Sequence, residues 1–469
     1  MKKQPAYKSY FFSKGYKDVF NIIKGAWKGA IRPLASELER LGKLFSANFL
    51  VAIFNLVCDL VVFPVITVFL FGLNLVFSLI FLAVVFVFGI LVYLGYSLLY
   101  LTDSIFRVVK GIVSQCPLCQ QKISLPSYLC PRCKAKHTVL RPSVYGILKR
   151  KCLCGEKLPT TFFNGRQKLQ AVCPYCNHNL KDGGRHVEIL IPVVGGASSG
   201  KTCFITSAMM EIEKNASNLK LQYRYSPTAT DNYVRDKMGM EHGITPEKTG
   251  ETRLNYYQFY LTPNGEKIKN LISVCDIAGE VYNDTNDIAK QIGYKFANAF
   301  IVVVDPFSIE KYKKEQGANF NASQYKTSAF KLDDVLSSLI TVLENMHCLN
   351  AKNMINTDVV VVFNKCDYKD LEKKIGDIAV KEYLRSNQVS KYQAQNVLCE
   401  KFLIDYDESN FLNTLKSKFK SVQFFACSAL GHVENGQAFS PNGVAEPMLW
   451  VIDKVSRSID LKKKWGKKI

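Results

Sequence analysis

Between residues 47 and 101 the sequence contains no Lys or Arg and a single acidic residue, Asp59. A 55-residue stretch this poor in charge cannot form the surface of a water-soluble domain, so the chain is segmented by solvent. A cleavable signal peptide is also missing, because the apolar block starts near residue 47 and far exceeds a signal's apolar core. The excess positive charge is absent from most of the chain as well. Residues 1–43 hold 10 Lys/Arg against 3 acids and residues 102–186 hold 15 against 3, whereas 187–469 is nearly balanced. Basic groups crowded beside an apolar block fit the positive-inside pattern and attraction to anionic membrane lipids, at about 1 kcal/mol per group. That distribution disfavours nucleic acid as the partner behind the net charge of +21.

The block 47–101 is long enough for two spans of about 20 residues and a tight turn, but hardly three. Gly72-Leu73-Asn74 is the natural turn. The expectation is a two-helix transmembrane hairpin over 48–71 and 75–100, with both ends and everything after residue 101 on the basic, cytoplasmic side of an inner membrane. A hairpin that dips into one leaflet leaves that topology unchanged. Asp59 falls near the middle of the first span, where an ionised carboxylate costs about 3 kcal/mol, so it is expected protonated or in contact with another helix, for instance in a homo-oligomer. The segment 1–46 is basic and amphipathic. Val19, Ile22, Ile23, Trp27, Ile31, Leu34, Leu38, Leu41 and Phe45 recur at helical spacing, which suits a helix on the headgroups or one packed on the protein's own domains.

Eight of the fifteen cysteines fall in C-x-x-C or C-x-C pairs within residues 112–182, a spacing for metal thiolates in a reducing compartment rather than disulfides. Cys116, Cys119, Cys130 and Cys133 are expected to form one closed tetrahedral zinc site, and Cys152, Cys154, Cys173 and Cys176 a second. Four thiolates leave no open position for water, so both sites read as structural, in a small double zinc ribbon. His137 and His178 follow C-x-x-C pairs closely, as substitute ligands or as solvated neighbours.

From 186 to 460 the pattern changes to apolar strands alternating with helical stretches, an α/β domain with a mostly parallel sheet and helices on both faces. An apolar run, Val187 to Val194, leads into Gly195-Gly196-Ala197-Ser198-Ser199-Gly200-Lys201-Thr202 and then a helical run from Cys203 to Lys214. Small residues let such a loop wrap phosphates with backbone N–H groups, the lysine reaches the outer phosphates, and the threonine hydroxyl serves Mg2+. Pro192 is awkward in a central strand and suggests a bulge. The strand Ile272 to Cys275 ends in Asp276-Ile277-Ala278-Gly279-Glu280, placing a carboxylate for magnesium and a glycine N–H for the terminal phosphate. Strands Phe300 to Asp305 and Asp358 to Phe363 follow, the second running into Asn364-Lys365-Cys366-Asp367. A carboxylate at Asp367 can accept from guanine N1–H and its 2-amino group, donors that adenine lacks. Strand Gln423 to Cys427 leads to Ser428-Ala429-Leu430, whose backbone suits the guanine oxygen.

These four ordered motifs, each after a strand, resemble the Ras-like superfamily of translation-factor-related P-loop GTPases over residues 187 to about 460. The added membrane block and zinc ribbon are similar to the double-GTPase type of bacterial conflict, or defence, systems. The resemblance implies GTP/GDP and Mg2+ as ligands and hydrolysis of GTP. It also implies a switch I threonine for magnesium between the P-loop helix and the strand Leu254 to Leu261. Thr245, Thr249 and Thr252 qualify, with Thr249 chosen, on a long polar linker from Asn215 to Gly250. Family members carry Gln where this chain has Glu280, a poorer water-orienting group beside phosphate unless protonated or paired. Glu280, with Lys201, is the catalytic candidate, slow unaided turnover is expected, and an activating or effector protein would complete the site. The insert Pro306 to Ser328 reads as a partner surface or a tolerated loop. The basic tail 461–469 reads as a membrane contact or a solubilising end. Two other readings remain: a non-cycling scaffold with bound nucleotide, and a nucleotide-gated membrane effector.

Overall fold

The computed structural model describes residues 4–44, 49–116, 119, 121–180, 186–226, 230–247, 255–266, 268–276, 292–317, 325–456 and 458–461. The chain divides into two compact units, residues 1–109 with 125–183, and residues 110–124 with 184–469.

The first unit begins with two helices, α1 (Lys14–Leu44) and α2 (Phe49–Val109). The expected turn at Gly72-Leu73-Asn74 does not form, and the apolar block is one continuous helix rather than a hairpin. The helix runs on through 72–74, where Asn74 turns its side-chain amide back onto the Leu70 carbonyl at 3.0 Å, satisfying itself inside the helix. The segment Phe63–Val109 is 47 residues, long and apolar enough to cross a membrane. Its side chains are largely uncovered, with Val68 at 73% exposure. Helix α1 packs along α2. Trp27 sets its ring against Phe71 (5.4 Å) and donates to Ser78 Oγ (3.2 Å), and Phe12 meets Tyr93 (5.4 Å). The amphipathic helix thus lies against the apolar helix α2. The Asp59 side chain lies outside the described residues.

Helix α2 enters the cysteine-rich part through a buried ion pair. Asp103 and Arg166 are both about 1% exposed. Arg166 Nη1 reaches Asp103 Oδ2 at 3.0 Å and Nη2 reaches Oδ1 at 3.2 Å, while Nη1 also donates to the carbonyls of Leu140 and Thr160. A fully buried guanidinium stripped of its carboxylate keeps an uncompensated charge. Asp103→Ala is therefore expected to destabilise this unit by about 3 kcal/mol or more, read as a lowered melting temperature in detergent, with Asp103→Asn less affected because it keeps an acceptor.

The second unit is built on a seven-stranded sheet. In chain order the strands are β1 (His186–Val194), β2 (Leu221–Tyr225), β3 (Asn255–Pro263), β4 (Lys269–Asp276), β5 (Ala299–Val304), β6 (Ile355–Phe363) and β7 (Phe419–Ala426), and their spatial order is β2-β3-β4-β1-β5-β6-β7. The pairs β2–β3 and β3–β4 are antiparallel and the other four are parallel. The parallel strands are apolar on both faces because both faces are covered. Ile301 and Val303 face one core with α3 (Lys201–Asn215) and α8 (Ala445–Val455). Val302 and Val304 face the other with α5 (Leu332–Asn345), α6 (Lys391–Asp405) and α7 (Ser409–Lys418).

Three expectations change here. Pro192 causes no bulge against β4, where the register runs unbroken from His186↔Lys269 to Val193↔Asp276. Its missing donor faces β5, where strand pairing starts only at Val193, and Asn298 serves Leu190 there through both its backbone and its side chain. The supposed linker Asn215 to Gly250 contains the edge strand β2 and helix α4 (Thr230–Glu241). The insert after β5 is partly core. Phe307, Ile309 and Tyr312 are buried, and Ser328 N–H donates to Asp305 Oδ2 at 2.8 Å.

Candidate functional site

The cavity of about 300 Å³ at the carboxyl ends of β1, β6 and β7 is lined by Ala197, Ser198, Gly200, Lys201, Thr202 and Cys203 from the loop and start of α3. Asn364, Lys365 and Asp367 follow β6, and Ser428 and Leu430 follow β7. Parallel strands deliver their following loops to one edge, so residues 230 positions apart in sequence become neighbours.

The loop after β1 is shaped by close approach. A Cβ on Gly195 would come within 2.5 Å of the Val303 carbonyl oxygen, and one on Gly200, at φ +87°, within 2.4 Å of Asn364 Nδ2. Only glycine fits either position. Lys201 is buried and folds over the loop to the carbonyls of Gly195 (2.9 Å) and Gly196 (3.0 Å). Thr202 Oγ1 donates to Asp276 Oδ2 at 2.7 Å, which brings the loop hydroxyl and the strand-end carboxylate together. Two oxygen ligands of this kind, with a lysine beside them, are the donor set that Mg2+ and phosphate require. Burial pushes the Cys203 thiol up to about 12, helped by Asp276, so this cysteine stays a neutral lining group.

Asn364 ties three loops into one frame. Its Nδ2 donates to the Ser199 carbonyl (3.1 Å), and its Oδ1 accepts from the Ala429 N–H (3.0 Å) and the Lys365 N–H (2.8 Å). Lys365 Nζ bonds the Ser198 carbonyl (3.2 Å) and Asp305 Oδ2 (2.7 Å). Asp367 accepts from Ser428 Oγ at 2.6 Å, which holds its carboxylate at the cavity wall. Asn364→Ala should weaken GTP and GDP alike by at least about tenfold, because three hydrogen bonds of roughly 1 kcal/mol each leave the frame. Equal wild-type affinity in a fluorescent-nucleotide titration would count against that role.

The cavity also takes residues that motif spacing did not single out, including Tyr325, Lys326, His432, Val433 and Glu434. Lys326 pairs with Glu434 at 3.2 Å. His432 is raised above its ordinary value by the carbonyls of Val433 and Ala438. These residues sit in the insert and in the loop after β7, and only tertiary contact relates them to the motifs. Thr245 lines the cavity, whereas Thr249, Thr252, Gly279 and Glu280 lie outside the described residues.

The cysteines do not gather in the expected pairing. Within the first unit, Cys130 and Cys133 join Cys152 and Cys154, so the expected grouping of Cys130 and Cys133 with Cys116 and Cys119, and of Cys152 and Cys154 with Cys173 and Cys176, does not form. Strand pairing decides this, since Ser127–Leu129 bonds Ala171–Val172 as well as Lys136–His137. The Sγ atoms of Cys130 and Cys154 are 3.6 Å apart and those of Cys133 and Cys152 are 3.5 Å apart. Tetrahedral zinc with bonds of about 2.3 Å needs sulfurs about 3.8 Å apart, so this donor set fits. Neither histidine joins a group among the described residues. Burial pushes His137 down to about 4, which makes it a neutral core side chain.

The mixed α/β sheet, the glycine-shaped loop and the strand-end carboxylate are compatible with a P-loop GTPase domain. Residues 189–402 match the family model described as Double-GTPase 2, which supports a P-loop GTPase of the double-GTPase type. No curated protein matches the chain. Among solved structures, Roco2 RocCORdC of Methanosarcina barkeri bound to GDP is similar at 12% identity and a TM-score of 0.23, over 58% of this chain and 51% of that one. The chain thus spans about half the length of that solved chain, and a likeness of that degree carries no argument.

Proposed function

We propose that this protein is a membrane-anchored switch that binds GTP and hydrolyses it to GDP and phosphate. The observation that carries the reading is the convergence of Lys201, the Thr202–Asp276 pair and the Asn364–Asp367 loop on one cavity. Lys201 leaves the carbonyls of Gly195 and Gly196 for the outer phosphate oxygens. Thr202 and Asp276 hold Mg2+, which when bound offsets charge on the phosphates. Asp367 selects guanine, and the backbone of Ser428, Ala429 and Leu430 borders the base. Thr249 and Gly279 are assigned to the switch that senses the terminal phosphate. Glu280 replaces a neutral water-orienting side chain, so turnover is slow until a partner supplies the missing group. The uncovered apolar length of α2 supports a bilayer as its solvent, with the GTPase unit on the cytoplasmic side. The resemblance to conflict-system GTPases suggests bacterial defence as the setting.

The test is GTP turnover by the full chain in detergent with Mg2+, beside Thr202→Ala. Slow release of phosphate that the variant lowers by at least about tenfold supports the reading, since metal and phosphate would lose a ligand. GTP bound without any turnover, and without change in partner contacts between GTP and GDP, would instead indicate a fixed structural ligand on a scaffold.

A further inference from the structure

The first unit carries a second, larger cleft of about 620 Å³ where the end of α2 meets the hairpin of Lys149–Lys151 and Lys157–Pro159. Its walls include Lys149, Lys151, Lys157, Thr102, Thr161 and Phe163, and among the described residues no acidic side chain lines it. Lys151 stands directly opposite Lys157 across the two strands. Like charges in cross-strand register repel, while the Lys151 ammonium also lies over the Tyr7 ring, 6.0 Å from its centroid. Lys149 lies two residues along, on the same face as Lys151, whereas Arg150 between them points inward to the Val139 carbonyl (3.0 Å) and Ser143 Oγ (3.2 Å). The three ammonium groups are thus sorted away from the core and toward the cleft. The neighbouring apolar groups are exposed too, with Leu148 at 55% and Phe163 at 66%.

We propose that this cleft is a binding site for the phosphate headgroup of an anionic membrane phospholipid. The inference rests on the membrane-anchored reading of α2. Lysines and hydroxyls at the foot of an uncovered apolar helix match a ligand that is anionic at one end and hydrocarbon at the other. The cleft volume falls within the range of a small-molecule site, and a nucleic acid would leave the exposed Phe163, Leu148 and α2 side chains in water. The single negative charge of a phosphodiester bound between Lys151 and Lys157 offsets part of their mutual repulsion. The site therefore couples the hairpin's own stability to lipid.

The experiment uses the full chain in a non-ionic detergent, titrated separately with short-chain phosphatidylglycerol, short-chain phosphatidylcholine, inorganic phosphate and a short single-stranded DNA. Phosphatidylglycerol is expected to bind at least about tenfold more tightly than the other three, and K149Q/K151Q/K157Q to lose at least about tenfold of that affinity with GTP affinity unchanged. K151Q alone should raise the melting temperature of the lipid-free protein while weakening phosphatidylglycerol, which separates a ligand role from a folding defect. Equal binding of the two lipids, an unaffected triple variant, or a K151Q variant that melts lower and binds normally would overturn the proposal. Inorganic phosphate binding as tightly as the lipid would make this a free-phosphate site, and preferential DNA binding would make it a nucleic-acid site; either also overturns it. Failure of the anchor itself would show differently, as a chain that stays monodisperse in buffer without detergent.

Discussion

Asp367→Ala is expected to erase the preference for GTP over ATP while leaving the protein folded. The carboxylate is partly exposed at the cavity wall, and its held partner is the Ser428 hydroxyl at 2.6 Å, so its loss removes little packing. Two hydrogen bonds from guanine to a charged acceptor contribute about 1.5–3 kcal/mol each. The GTP affinity should therefore fall by a factor on the order of 10² to 10⁴. ATP offers neither donor to this carboxylate, so its binding should change far less. Competition of each nucleotide against a fluorescent GDP, in wild type and variant, measures the difference. Wild-type protein that binds ATP as tightly as GTP would remove the basis for the guanine assignment.

The second large effect is expected at the metal clusters. Cys152→Ser should cost the protein one of two equivalents of zinc, measured by elemental analysis of the purified chain. Structural zinc contributes about 10 kcal/mol or more to the folding of small domains, so the cysteine-rich part should lose its cooperative melting transition. The defect should reach the N-terminus, because the Leu153 N–H bonds the Pro5 carbonyl at 3.1 Å and Ala6 bridges Cys152. Protease cleavage before residue 10 in the variant, and not in wild type, would report that release. Cys116→Ser should remove the other equivalent, leaving Cys130 and its three partners loaded. If Cys116→Ser instead empties the group containing Cys130, the crossed pairing is wrong.

Much of the candidate site's geometry was legible because its chemistry is local. Glycines that must approach a carbonyl, a lysine at the loop's end and a carboxylate at a strand's end lie within a few residues of one another, and their spacing carries the geometry. The outward parts of the cavity were not legible in that way. Tyr325 and Lys326 belong to a polar insert, and His432 and Glu434 to an irregular loop. No periodicity marks such residues, and Asp305 and Lys365 hold the insert in place through the Ser328 N–H and the Lys326 carbonyl. Strand β2 and helix α4 were hidden for a similar reason. They are short and polar, and they gain their structure from Tyr223 stacked on Phe259 and from Tyr233 and Tyr257 buried beside them.

By itself, the sequence determined which residues avoid water, which cysteines could hold metal and which loop needs glycines, since burial, thiolate chemistry and loop sterics are properties of residue type and short spacing. Tertiary structure alone decided which cysteines gather together, whether the apolar block turns at Gly72, and which side chains close the cavity. Those outcomes depend on pairing between distant strands and on backbone hydrogen bonds that no short window of sequence contains.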